Sequence, residues 1–434
     1  MRDFLILAII GVGACVALRR PWIGVLLWTW VSLMNPHRYA WGFAYDAPVA
    51  AVIAGATILG LLLTREKEHP FKGPPSVVLA VFMLWITISW QMGLDPRGDY
   101  PAWDKVMKIY FMILVSLMLL RTKQHIVALA WVCAGSLAVL GAKGGLFTIL
   151  TGGDYRVYGP PQSFIADNNH FAAALVMTIP LLRFLQLQLS SKWGKHGMTA
   201  VMVLVAAAAL GSHSRGALLA ILAMASFLWW RGRSRVVGGV LIALVAIGLL
   251  LFMPDQWGDR MASIRDYQSD DSAVGRLAAW SVAWEAAFDY PFGVGFDAGR
   301  PELFARYSWF SELGRSPVAH SIYFQILGHH GFVGLGLFLL IGWLTWRTAV
   351  RVRKEANGLP DAKWCLDLSS MSQVAMVGYA VGGAFLNLAY FDLPYYIMVL
   401  LVLSLSWVRR RAWEGPAATY GPPGQFSVAT SVAK

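Results

Sequence analysis

SHSRGALLAILAMASFLWWRGRSRVVGGVLIALVAIGLLLFM, residues 212–253, decides the fold class. Two apolar runs, 216–230 and 236–253, flank a short loop that holds Arg231, Arg233 and Arg235. A helix needs about 20 apolar residues to cross a hydrocarbon core roughly 30 Å thick. Outward from this stretch the same kind of run recurs: FLILAIIGVGACVAL at 4–18, APVAAVIAGATILGLLL at 47–63, TAVMVLVAAAALG at 199–211 and GFVGLGLFLLIGWLTW at 331–346. Of the 434 residues 57% are hydrophobic and 14% charged, against about 25% charged in soluble domains. The composition excludes a soluble enzyme. It predicts an all-α, polytopic membrane helical bundle.

Charge sets the expected topology. Basic residues cluster in short loops: Arg65/Lys67/Lys72, Arg121/Lys123, Lys192/Lys195, Arg231/Arg233/Arg235, Arg347/Arg351/Arg353/Lys354 and Arg409-Arg410-Arg411. The positive-inside rule places these loops in the cytoplasm. They alternate with loops poor in positive charge. The longest of those, 254–318, carries ten acidic and six basic residues, a net of −4, so the rest of a chain of net +12 is +16. The basic excess is therefore a topology signal and not a nucleic-acid patch. Spans are expected near 47–64, 74–92, 105–121, 126–148, 170–188, 198–212, 216–230, 236–253, 329–346, 370–388 and 394–408. Before residue 35, Arg19-Arg20-Pro21 separates two short apolar segments, which leaves one or two crossings open; the total is about 12. The expected division is a transmembrane domain over 1–411, with 254–318 a long outer loop carrying interfacial helices, and a loose cytoplasmic tail over 412–434, rich in Pro, Gly and Ala. The first apolar run lacks a small-residue cleavage site, so no cleavable signal peptide is expected.

The three cysteines, Cys15, Cys133 and Cys365, are scattered and have no CxxC spacing, so neither disulfide nor metal is indicated. GAKGG at 141–145 is no P-loop.

Polar chemistry collects on the outward face. GGDYRVYGPPQSFIADNNHF (152–171), GSHSRG (211–216), the long loop and VAHSIYFQILGHHGFVG (318–334) share that side, as does NLAYFDLP (387–394). Arg215 stands at the mouth of a span on the side the positive-inside rule disfavours. Arginine at membrane depth is costly and usually faces an anion or a wet cavity; interfacial snorkelling is the alternative. His213 reads as incidental. Arg276 is expected in the first turn of an amphipathic helix whose Leu277, Trp280, Trp284 and Phe288 recur at helical spacing and suit a helix lying in the interface. There its charge adds to the positive helix N-terminus; a solvated loop arginine is the alternative. Asp154, Arg156, Asp167, Asn168, Asn169 and His170 lie where a loop returns to the membrane, and Asn there can simply cap a helix.

His320 is the sharpest feature. An ionisable residue facing a transmembrane bundle is a functional hypothesis by default, and an imidazole with a pKa near 6.5 is a usable base. His320, His329 and His330 do not share a helical face, and HEXXH is absent, so a zinc site is not expected. Several arginines and one histidine without metal or nucleotide motifs suit group transfer from an anionic, lipid-linked donor. Guanidinium groups would hold the leaving phosphate and the histidine would take a proton from an acceptor hydroxyl.

His320-Ser321, nine residues, Gly331, two residues and Gly334 resemble the His-[Asn/Ser/Gln]-x9-Gly-xx-[Gly/Thr/Tyr] motif of bacterial O-antigen ligases. SHSRGALLA resembles the Ser-Arg-Gly element of the wider ligase/polymerase superfamily. GRLAAW followed by PFGVGF is similar to its loop arginine and Pro-x-Gly-x-Gly segment, and YRVYGP with DNNHFA to its Arg-x-x-Gly and Asn-x-x-Ala element. The likeness runs in order over most of 152–345. Part of the chain also resembles the ligase-like branch found with exosortase systems, which puts the acceptor in doubt but not the chemistry.

The resemblance implies a GT-C-type membrane glycosyltransferase in the bacterial inner membrane, its site facing the periplasm. It would move a glycan from undecaprenyl diphosphate to a sugar hydroxyl of lipid A-core, with inversion and without metal or cofactor. Carried over by motif, His320 is the general base, and Arg215 and Arg276 clamp the diphosphate. Arg156 and Asn169 are donor-contact candidates, and Ser321, the second motif residue, is a further substrate-binding candidate. Asp392 could orient His320 or meet the acceptor sugar, although no motif requires either. Partners would be the lipid-linked donor, the lipid A-core acceptor and membrane lipids, with no nucleic acid. An O-antigen polymerase and a protein O-oligosaccharyltransferase are the rivals within the class. An anionic-lipid transporter or flippase is the rival outside it; that would predict internal repeats, which the sequence lacks.

Overall fold

A computed structural model describes residues 2–231, 271–308 and 317–411. Among the described residues the chain forms fourteen α-helices, two short 3-10 turns and no strand. In chain order the helices are α1 (Arg2–Arg19), α2 (Pro21–Met34), α3 (Val49–Leu63), α4 (Pro74–Gln91), α5 (Pro96–Leu119), α6 (Lys123–Leu150) and α7 (Asn168–Gln188). There follow α8 (Lys192–Gly211), α9 (Arg215–Arg231), α10 (Asp271–Asp289), α11 (Pro301–Tyr307), α12 (Ile322–Ala356), α13 (Lys363–Gly383) and α14 (Asp392–Arg409). The expected span 236–253, the start of the long loop and the tail 412–434 lie outside the described residues.

Six helices, α4, α6, α7, α8, α12 and α14, are long and apolar enough to cross a membrane, and α2, α3 and α9 are shorter apolar helices. The protein is an all-α, polytopic membrane protein. Helices that are apolar all round belong inside a bundle. The apolar window of α14 is 83% buried and that of α7 78%, against 33% for α4 and 28% for α8, so α7 and α14 are the central posts. Lipid tails supply no hydrophobic drive for helices to associate, so close approach depends on small residues. The glycines of GAKGG do this: a side chain at Gly145 would run into the Leu204 carbonyl of α8, and one at Gly144 into Val157 and Ala208.

The two ends of the bundle differ. At one end basic residues interlock with the few glutamates: Arg410 with Glu68 at 2.6 Å, Lys72 with Glu68 at 2.8 Å and Arg409 with Glu355 at 2.7 Å. The two arginine pairs are open to solvent, and pairs of that kind contribute little, typically under about 1 kcal/mol each. The opposite end gathers 35–48, 92–95, 151–167, 212–214, 271–308, 317–321 and 384–391. The open question before residue 35 is answered there. Asp3 accepts hydrogen bonds from the amides of Gly42 and Ala44, both at 3.1 Å, so the start of α1 lies beside the chain that leaves α2. Arg19-Arg20-Pro21 is the turn between two antiparallel helices, and not a break in one.

Three expectations are corrected. The span expected at 329–346 belongs to a helix that starts at Ile322, with His320 outside it. The helix carrying Arg276 begins at Asp271, which puts the arginine in the second turn and not the first. Its aromatic stripe is also divided. Leu277, Trp284 and Phe288 are exposed, whereas Ala278, Ala279, Val282, Ala283 and Ala286 pack inward, and Trp280 turns in to stack on Phe324 at 4.8 Å.

Candidate active site

The frame of the site is a break in α12. Gly331 has φ 67° and ψ −172°, which is not helical, so the carbonyls just before it lose their helical donors. Such groups must find partners in protein when they lie away from water. The His330 carbonyl accepts from Trp85 Nε1 at 2.8 Å. The His329 carbonyl accepts from Ser89 Oγ at 3.0 Å and from the Gly295 amide at 3.1 Å. The Gly295 amide comes from PFGVGF, so that segment docks its backbone against the break. Neither side has room to spare: a side chain on Gly293 would collide with the His329 carbonyl, and one on Gly331 would come within 2.8 Å of the Pro291 carbonyl.

His329 and His330 belong to this frame. The His330 ring is buried between Ser89 Oγ at 2.8 Å and the Tyr390 hydroxyl at 2.7 Å. That hydroxyl also meets His329 Nδ1 at 2.9 Å. Asp99 holds the other end of the PFGVGF segment, accepting from the Phe296 amide at 2.8 Å and from Arg300 at 2.8 Å.

His320 is held differently. Its φ is 44°, in the left-handed region that is uncommon outside glycine and typically costs of order 1–3 kcal/mol. The strain is fixed from both sides. Trp280 Nε1 donates to the Ala319 carbonyl at 2.6 Å, and the Ser321 amide donates to Asn387 Oδ1 at 3.2 Å. Ser321 itself is buried at the N-cap position of α12, with no side-chain capping bond. The half-buried His320 ring lies within electrostatic reach of Arg276, Asp167 and His170. Burial, and then the Arg276 guanidinium, hold its pKa below 6.5, while Asp167 pulls it upward. The ring is therefore neutral at pH 7 and able to accept a proton.

The start of α7 completes this side. Asp167 caps the helix, accepting from the Asn169 amide at 2.8 Å and the His170 amide at 3.4 Å. Asn169 Nδ2 also reaches Asp167 at 3.1 Å, so part of this candidate's bonding capacity goes to the cap. Asn168 ties α7 to the SHSRG turn through the Ser212 carbonyl at 2.7 Å. His170 Nε2 accepts from the Asn387 amide at 3.3 Å, which leaves Nδ1 to carry the hydrogen on the Asp167 side. His213 has a structural place: it is buried, left-handed at φ 56°, and its ring meets the Gly153 carbonyl at 2.8 Å.

Arg215 is half-buried at the first position of α9. Next to it, Gly216 packs on Phe385 and Gly382 of the α13 end, and Gly383 there packs on Ile322, two residues past His320. The structure thus brings Arg215, Arg276, His320, Ser321 and Asn169 to one end of the bundle, with Arg276 within electrostatic reach of His320. Arg156 is exposed on the adjoining loop, and the next amide, Val157, bonds to the Gly211 carbonyl at 3.2 Å. Asp392 belongs to a different neighbourhood. It is buried at the start of α14, its carboxylate bonds the Ser32 hydroxyl of α2, and it lies within electrostatic reach of Lys105. A cavity of about 220 Å³ adjoins His320, lined by Pro317, Ala319, Gln325, His329, Asp297 and Asn387 among others. Among the described residues no group of three His, Cys, Asp or Glu is placed to hold a metal ion.

Asn387, Asn168, His170 and Trp280 are the side chains that sequence reasoning undervalued. Asn387 stood out in principle, as an amide between two apolar spans, but nothing local pointed to residue 321 as its partner.

The chain is thus a polytopic membrane protein that brings an imidazole and arginines to one end of its helical bundle. Residues 200–339 match the family model described as O-Antigen ligase, and residues 1–190 match a family of unknown function, DUF5935. No curated protein matches the chain. Over residues 200–339 the chain is similar to the O-antigen ligase/polymerase superfamily. Arg215, Arg276, His320 and Ser321 fall within the ligase match, Arg156 and Asn169 within the other, and Asp392 within neither.

Proposed function

We propose that this protein is a metal-independent, inverting glycosyltransferase of the GT-C type that acts as an O-antigen ligase. The observation that carries the reading is His320. Its imidazole is kept neutral beside a guanidinium, on a strained backbone that neighbouring side chains hold in place. A merely structural histidine needs no such arrangement.

The donor in this reading is a glycan on undecaprenyl diphosphate and the acceptor a sugar hydroxyl of lipid A-core. His320 takes the acceptor proton as the oxygen attacks the anomeric carbon from the face opposite the leaving group. The bond from that carbon to the diphosphate oxygen breaks, and the electron pair stays on the diphosphate. Arg215 and Arg276 hold that charge, Arg156 and Asn169 contact the donor from the neighbouring loop, and Ser321 fixes the approach of α12. Fixed positive groups aimed at developing negative charge are commonly among the largest contributions to catalysis. The clustering of basic loops at the opposite end supports an inner-membrane protein with its site on the periplasmic face. Residues 1–411 then form the transferase domain, 254–318 its periplasmic loop and 412–434 a cytoplasmic tail.

The test is reconstitution in lipid with an undecaprenyl-diphosphate-linked glycan and lipid A-core, scored for glycan on the core. A deletion strain that keeps long lipid-linked polymer but leaves its core uncapped supports ligation. Loss of the long chains supports the polymerase instead, and glycan on protein the oligosaccharyltransferase. Movement of the lipid across the bilayer without transfer supports the flippase.

A further inference from the structure

A second pocket lies at the same end of the bundle, with a volume of about 380 Å³. It is walled by the end of α2, the turn at Pro36–Tyr39, the outer part of α5 and residues 162–164 of the loop before α7. Every lining residue falls between 28 and 164, inside the part matched by the family of unknown function and outside the ligase match.

Its polar groups point to an anion. His37 and Trp28 line it, 8% and 6% exposed. His37 Nδ1 and Trp28 Nε1 are buried without a hydrogen-bond partner among the described residues. The indole N–H can only donate, and a buried polar group left unmatched is costly enough to be rare. Three cations join them. Lys108 is paired with Asp104 at 2.5 Å and Arg38 with Asp46 at 2.8 Å. Lys105 lies over the Phe164 ring, its nitrogen 3.9 Å from the centroid, and feels the charge of Asp392 from beneath the pocket. The carboxylates are thus committed to Lys108, Arg38 and Ser32, and among the described residues Lys105 is the pocket cation with no carboxylate in ion-pair contact.

We propose that this pocket binds an anionic group, phosphate or carboxylate, of the sugar acceptor. Lys105 supplies the charge, with Arg38 and Lys108 beside it in the pocket wall. The identity of the molecule rests on the transferase reading above; the anion site does not. Transfer needs two substrates at one face, and the donor diphosphate is assigned to Arg215 and Arg276. One loop borders both places: Phe164 walls this pocket, and three residues on Asp167 faces His320. An acceptor anchored at Lys105 lies along that loop toward the base. Asp392, bonded to Ser32 in the pocket wall, then serves the acceptor side and does not orient His320.

The full-length protein in lipid nanodiscs is titrated by calorimetry with inorganic phosphate and, separately, with glucuronate. At least one binds, and which one does so separates a phosphorylated from a uronic acid acceptor. Lys105→Gln weakens that binding about tenfold or more, and Arg276→Ala leaves this component in place. In the reconstituted reaction Lys105→Gln raises the acceptor KM about tenfold, with the donor KM and kcat within twofold of native. Should Lys105→Gln fail to accumulate, His37→Phe is read in the same way. Native protein that binds neither anion, or a Lys105→Gln variant that binds as native does, overturns the site. Binding lost without any change in acceptor KM overturns the acceptor assignment. Binding lost in a protein that transfers to no acceptor leaves the site standing and removes the transferase reading.

Discussion

His320 stands just before α12 and His330 ten positions on, inside it, and they live in opposite circumstances. His330 is fully buried, with both ring nitrogens bonded, to Ser89 and Tyr390. His320 is half-buried on a left-handed backbone, and what surrounds its ring is charge, from Arg276 and Asp167, with the His170 ring beside them. One histidine is a strut that keeps a broken helix satisfied. The other is a titratable group in a field. Burial alone would have ranked them in the wrong order, since the deeper residue has no free nitrogen with which to do chemistry.

The largest expected effect separates the two. His320→Ala removes the proposed base and should lower turnover by about 10²–10⁴-fold, the usual worth of general acid–base catalysis. Thermal stability and binding of lipid diphosphate should stay near native. His330→Ala should do the reverse. It takes one of two partners from each of Ser89 and Tyr390, which keep their bonds to His329, and leaves a hole at the break, at about 1–3 kcal/mol in all. The melting temperature of the purified protein should fall, and activity per folded molecule should change little. A His320→Ala protein that turned over normally would erase the distinction.

The break itself gives the next effect. Gly331→Ala places a side chain on a residue with φ 67°, within 2.8 Å of the Pro291 carbonyl. A cost of about 1–3 kcal/mol is expected from the strained backbone, read as a lower melting temperature. If the variant melted like the native protein, the docking of PFGVGF on the break would not be the constraint described above.

The sequence disclosed these parts unequally, for physical reasons. Apolar runs are legible because a bilayer demands length and composition and little else, so the bundle and its two unlike ends could be read directly. The kink was not legible: residues 331–346 are equally apolar whether the helix is straight or broken there. His329 and His330 were weighed as metal ligands, because the partners that give them their role, Ser89 and Tyr390, lie far away in the chain. Motif order pointed to His320, Arg215 and Arg276, and the fold collects them at one end. Of the two roles open to Asp392, orienting His320 finds no support: nearness in sequence to Asn387 implies nearness to residue 321, whereas α14 turns its first carboxylate toward α2. The parity before residue 35 needed a contact over some forty residues, Asp3 with Gly42 and Ala44.

The smallest effects are the sharpest check on how His320 is tuned. Base catalysis needs the neutral ring, so activity is present above its pKa and is lost as the pH falls through it. Burial and Arg276 depress that pKa below 6.5 and Asp167 opposes them. The acidic limb of the kcat/KM profile should therefore lie below pH 6.5 in the native protein. Arg276→Gln removes a repelling cation and should move the limb to higher pH, on top of a general loss of donor affinity. Asp167→Asn removes an attracting anion and should move it to lower pH. Asparagine caps a helix about as well as aspartate, so the start of α7 should survive this second change. The two shifts have opposite signs, and a general loosening of the fold would not produce both. If the limb stayed put in both variants, a group other than His320 would be setting it, and the contrast between the two histidines would have to be redrawn.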